Sequence, residues 1–176
     1  MATYIQIGST VTVGAGGAAS IDFTSIPATY TDLLIKLSVR SDQAASNGQD
    51  IYVQFNGDTG SNYSFRRLYG TGSAAASDSA SASATAGRVG RATSATSTAS
   101  TFASNNIYIP NYAGSAAKSI SIDGVEENNA TASIMVLNAA LWSGTAAITS
   151  VKIQCLAAST NFVQYSTASL YGISKS

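Results

Sequence analysis

The clearest pattern in the chain is the run DLLIKLSVR at residues 32–40, in which apolar and polar side chains alternate. A period of two is that of an extended strand with one buried face. Four side chains are therefore predicted to face a core: Leu33, Ile35, Leu37 and Val39. The run DIYVQF at residues 50–55 repeats the pattern and ends at Asn56-Gly57. Asn-Gly is typical of tight turns, so we expect a hairpin corner there.

Similar alternation recurs along most of the chain, and helical spacing is not evident. The spacing of the turn signals predicts roughly eight to ten strands. The predicted fold class is all-β, an antiparallel, jelly-roll-like β-sandwich. We expect one domain over residues 1–176, in which residues 1–17 form an N-terminal strand or arm.

Residues 71–104 differ in kind, because nearly all of them are Ser, Ala, Thr or Gly. Such a segment has little apolar surface to offset the entropy lost on ordering. We expect a low-complexity insertion, either a long exposed loop or an arm that orders only on assembly.

Composition excludes several kinds of chemistry. Charged residues make up 10% of the chain, with nine basic against nine acidic, no histidine and one cysteine. His-dependent triads and His-containing zinc sites are therefore excluded, and a zero net charge offers no footprint for nucleic acid or an anionic membrane. We predict no enzyme activity and no catalytic, cofactor-binding or metal-binding residues. Cys155 is predicted to be a buried apolar residue, and Glu126-Glu127 a solvated turn.

A surface with so few charges is predicted to be covered by copies of the chain or by a larger assembly. Exposed tyrosines would supply rigid contact area for such an interface. The candidate interface residues are Tyr4, Ile5, Tyr63, Arg88, Val89, Arg91, Phe102 and Tyr112.

Three segments carry a resemblance to a known family: FTSIPATYTDLLI at 23–35, running on to Arg40-Ser41, VQFNGDTGSNYS at 53–64, and ASLYGI at 168–173. They resemble small virion structural proteins of tailed bacteriophages, especially phages of aquatic bacteria. In that group a similar IP-x-x-Y-x-DL segment enters a core strand and a similar FNGD-x-x-x-NYS turn follows.

The resemblance implies a jelly-roll virion protein, made in the bacterial host cytoplasm, that binds the major capsid protein as a cement or decoration protein. Such proteins are usually cyclic trimers, and residues 1–17 and 71–104 are the expected bridging parts. The alternative is a tail-fibre or spike head that stacks the loops at 56–63 and 161–165 on host glycans. The chain contains no coiled-coil or collagen-like shaft, which favours decoration.

Overall fold

The computed structural model describes residues 3–44, 48–129, 133–157 and 159–174, without the side chains of residues 81–83. These residues form strands and no helix. In chain order the strands are β1 Thr3–Gln6, β2 Val11–Thr12, β3 Ser20–Phe23, β4 Asp32–Val39, β5 Gly48–Phe55, β6 Tyr63–Gly70, β7 Ala75–Ala84, β8 Gly87–Thr93, β9 Ala103–Ile109, β10 Lys118–Glu126, β11 Ile134–Trp142, β12 Val151–Cys155 and β13 Thr167–Ser174.

The strands form two antiparallel sheets that pack against each other. The large sheet has nine strands in the order β1-β13-β4-β9-β10-β11-β6-β7, with β2 also paired to β13. The small sheet has four, in the order β3-β12-β5-β8. When the meander β9-β10-β11 is counted as one position, strands β3 to β12 have the two-Greek-key connectivity of a jelly roll. The predicted all-β, jelly-roll-like sandwich is confirmed.

Period-two alternation places the core where the sequence predicts it. On β4, Leu33 and Ile35 are fully buried, while Lys36 and Ser38 are exposed. Strands β10 and β11 alternate in the same way over nine residues each. Cys155 is buried as predicted, and burial raises the pKa of its thiol to about 12.

The Asn-Gly turn has the predicted backbone but a different role. Asn56 and Gly57 both have positive φ, 53° and 69°. The turn joins β5 of the small sheet to β6 of the large sheet, so it is a corner between sheets and the expected hairpin was wrong. The Asn56 side-chain oxygen accepts hydrogen bonds from the backbone amides of Thr149 (2.8 Å) and Ser150 (3.1 Å), which attaches the corner to the start of β12.

Residues 71–104 were expected to be a loop or an arm, and this was wrong for most of the segment. The structure places β7 and β8 there, and Val89 and Ala92 of β8 lie fully buried in the core. The physical reason is tertiary: β7 pairs with β6 and β8 with β5, so distant strands supply the hydrogen bonds that local composition does not reveal.

One arginine organises the loop that remains of this segment. The Arg40 guanidinium donates to the carbonyl oxygens of Thr98 (2.8 Å), Thr101 (3.0 Å), Ser97 (3.1 Å) and Ala95 (3.3 Å). A single cation thereby satisfies a cluster of loop carbonyls that point towards it.

We predict that Arg40→Met loosens this loop without unfolding the sandwich. Losing hydrogen bonds to a charged donor is expected to lower the free energy of unfolding by about 2 kcal/mol. Hydrogen exchange should accelerate at residues 95–101, as measured by mass spectrometry. Lys152→Met, at an exposed position on β12, is the matched control. Unchanged exchange in the Arg40 variant would show that the arginine does not hold the loop.

Candidate functional site

Six charged side chains from both sheets meet around β8 and form one ion network. Its members are Asp50 of β5, Arg67 of β6, Asp78 of β7, Arg88 and Arg91 of β8, and Glu126 of β10. Three acids face three arginines, so the charges balance when all three acids are ionised. It ties the small sheet to the large one.

Asp50 is at the centre of the network. Its Oδ1 accepts from Arg67 Nη1 at 3.2 Å and from Arg91 Nη1 at 3.1 Å, while its Oδ2 accepts from Arg88. Asp78 joins the network through Arg67 and Arg88. Burial alone would raise the pKa of Asp78, but the hydrogen bond and charge of Arg67, with help from Arg88, hold it below its usual value.

Glu126 is the deepest member of the network. It is 1% exposed, and its Oε2 accepts from Arg91 Nε at 2.7 Å. Its Oε1 has no hydrogen-bond partner among the described residues. Burial raises the pKa of Glu126 to about 7, although the hydrogen bond and charge of Arg91 oppose the shift. The predicted solvated turn was therefore wrong for Glu126, which ends β10 facing inward, whereas Glu127 is exposed.

A glycine in β8 allows the strand to approach β9 closely. Gly90 has φ of 133°, and a Cβ there would lie 2.1 Å from Asn105 Oδ1. The Asn105 amide instead clamps the backbone of Arg91, accepting from its N–H at 3.1 Å and donating to its carbonyl at 2.8 Å. Gly90 thus lets Asn105 fix the position from which Arg91 reaches Asp50 and Glu126.

A second feature is the solvent-facing side of the large sheet, which we call the outer face. Four large apolar side chains are about half exposed or more there: Leu68 (55%), Val125 (49%), Met135 (64%) and Leu137 (58%). They are cross-strand neighbours, with Leu137 opposite Leu68 and Met135 opposite Val125. Contiguous exposed apolar side chains of this kind mark contact surfaces. The four residues are named the outer-face patch below.

The structure buries several of the predicted interface residues. Tyr63, Tyr112 and Val89 have no exposed surface, so their predicted interface roles were wrong. Each tyrosine hydroxyl is used internally: Tyr63 accepts from the Phe55 amide at 3.0 Å and donates to the Asp58 carbonyl, and Tyr112 donates to the Pro27 carbonyl. A buried Tyr63 also removes the ring that the glycan alternative needs in the 56–63 loop.

The other predicted interface residues differ in accessibility. Arg88 and Arg91 keep little exposed surface and bind acids of the ion network; their predicted contact role stays a prediction. Phe102 is half-buried, whereas Tyr4 and Ile5 are exposed on β1, at the edge of the large sheet. In the 161–165 loop, Tyr165 is exposed.

The ion network was missed because its members are far apart in sequence. The one local signal was Arg66-Arg67: adjacent strand residues face opposite sides, so one arginine was expected to face inward or to lie at a sheet edge. The structure assigns that position to Arg67, which is buried, and leaves Arg66 exposed.

Comparison with known proteins identifies no family. The chain matches no protein-family model and no curated protein. Over the described ranges, no three His, Cys, Asp or Glu residues are grouped to hold a metal ion, and no helix is long and apolar enough to cross a membrane.

We predict that Glu126 makes stability depend on pH between about 4.5 and 7. Its pKa is higher in the folded than in the unfolded chain, so the folded state binds more protons in this window. The free energy of unfolding contributed by Glu126 should fall as pH rises, by at most about 1.4 kcal/mol per pH unit. Urea titrations at several pH values should show this slope in wild type and its loss in Glu126→Gln.

Glu127→Gln, the same change at the exposed neighbour, should keep the wild-type slope. A Glu126→Gln protein with an unaltered pH profile would mean that the carboxyl does not titrate in this window.

Proposed function

We propose that the protein is a non-enzymatic structural protein of a phage virion, and specifically a cement protein that bridges subunits of the major capsid protein. The observation that carries this proposal is the open edge of β7. The resemblance of residues 23–41, 53–64 and 168–173 to small phage virion proteins supports the same function.

Strand β7 has ten residues and pairs on one side with β6; on its other side no strand pairs with it among the described residues. Asp78 is its one charged residue, and its carboxylate binds Arg67 and Arg88. Edge strands are normally guarded by lysine, proline or brevity. β7 has none of these three guards. Asp78 faces inward and a register irregularity lies between the pairs Tyr63–Ala84 and Phe65–Ala80, so the part of the edge open to another strand is residues 75–79.

The turn before β7 indicates which backbone groups are free. The Thr71 amide donates to the Ala74 carbonyl at 2.9 Å and closes the β6–β7 turn. Because hydrogen-bonded and non-hydrogen-bonded pairs alternate along an antiparallel ladder, Ser77 and Ser79 direct their N–H and C=O groups to the open side. A strand of a capsid subunit could pair with these groups without requiring any particular side chain.

Bridging requires two contact sites, and the large sheet has two outermost strands. In its strand order β1 is at one end and β7 at the other. Seven spacings of about 4.8 Å separate them, or about 34 Å along the sheet. Tyr4 and Ile5 are exposed on β1. Contacts at both ends would join two capsid subunits, and the buried area would stabilise the assembled shell against opening.

Quantitative mass spectrometry of purified virions tests this function. A cement protein should be present in hundreds of copies, at a fixed ratio to the major capsid protein. A few to a few tens of copies would instead indicate a tail or vertex protein that contacts the host. Absence from the particle would overturn the virion proposal.

We predict that Ser79→Pro weakens capsid binding at least tenfold, because proline removes an outward N–H from the open edge. Ser79→Ala removes the hydroxyl but keeps the N–H, so it should bind as wild type does. Cosedimentation of the full chain with purified capsids measures binding, and circular dichroism checks that both variants fold. Equal binding by the two variants would exclude strand addition at this edge.

A further inference from the structure

The outer-face patch combines protruding side chains with a hollow. Leu68 and Leu137 protrude on one side, Val125 and Met135 on the other. They line a hollow of about 600 Å³, to which Gly70 contributes no side chain and Ala75 only a methyl group. The patch therefore contains both protruding side chains and a hollow within one surface.

We propose that the outer face is a self-association surface, on which the outer-face patch of one copy packs against that of a second copy. An interface between identical copies related by a twofold axis must be self-complementary, because each residue contacts its counterpart's neighbours reciprocally. A patch that has both knobs and a hollow meets this requirement. This surface is separate from the β7 edge and does not depend on the virion function.

The area of the outer face is sufficient for a stable dimer. From β4 to β7 the sheet order contains six strands and five spacings of about 4.8 Å, and about eight residues rise roughly 27 Å along each strand. The resulting footprint is about 650 Å² before side-chain relief is counted. A specific interface buries about 600–1,000 Å² per partner.

Charge favours a second copy as the occupant. The chain has nine basic and nine acidic residues, so two copies have no long-range repulsion to overcome. The outer face itself carries charges of both signs. Lys36 and Asp123 lie on the two strands that flank Asn106, one on each side, and the Asn106 side-chain amide donates a hydrogen bond to Asp123 at 2.9 Å. Two such faces present charges of both signs to each other.

Sedimentation velocity of the full chain between 1 and 100 µM tests the proposal. Wild type should be an oligomer that dissociates on dilution, and Leu137→Arg should weaken association at least 100-fold. Leu156→Arg is the matched control, since Leu156 is exposed to a similar extent (53%) but lies beyond β12, outside the outer face. Met135→Lys is a second variant at the patch, to be used if Leu137→Arg does not fold.

Three results would overturn the proposal: a wild-type monomer at 100 µM, association that survives the folded patch variant, or equal loss of association in Leu156→Arg. A monomeric wild type whose patch variant no longer binds capsids would assign the outer face to the capsid protein. That result would reject self-association and leave the cement function standing. If the protein forms oligomers in solution but is absent from virions, self-association stands and the cement function is rejected.

Discussion

The contacts of Asp50 with three arginines are the constraint on which the arrangement of β7 and β8 depends. The network uses three of the nine basic and three of the nine acidic residues of the chain. Buried ion pairs add little net stability, because desolvation offsets their attraction. Removing one member, however, strongly destabilises the fold, since it leaves a buried charge without its partner. Such a network selects one arrangement of strands over others. This matters most for β7, where Asp78 is the one charged residue that can select a register.

Apolar packing and ion pairing therefore hold different parts of the sandwich. Strands β4, β9 and β12 bury branched apolar side chains and carry none of the six members of the ion network. Strand β8 contributes Val89 and Ala92 to the same core but relies on Arg88 and Arg91 to connect it to the opposite sheet. Both arginines on β8 therefore have acids of the fold as their ion-pair partners.

The parts of the fold that could be predicted from the sequence are those in which one strand carries its own pattern. The alternation at residues 32–40 and 50–55 was sufficient for β4 and β5. Residues 71–104 carry no such pattern. Their order depends instead on partners such as Arg40 and Asp50, which lie elsewhere in the chain. Tyr63 was misjudged for a related reason: its hydroxyl is satisfied by the backbone of its own corner, which composition does not indicate.

The pairing of charged side chains inside the fold also decides which surfaces remain for partners. The ion network binds three arginines and three acids inside the fold. The surfaces that remain for partners are the backbone at the β7 edge and the outer face, where apolar side chains lie beside a few charged ones. These surfaces are perpendicular: a strand added at the edge lies in the plane of the sheet, whereas a copy on the outer face packs above it. Because the patch is centred on β10, β11 and β6, one strand in from the edge, both contacts can form together. Each self-associated pair would then present two β7 edges, which increases its avidity for neighbouring capsid subunits beyond that of a single copy.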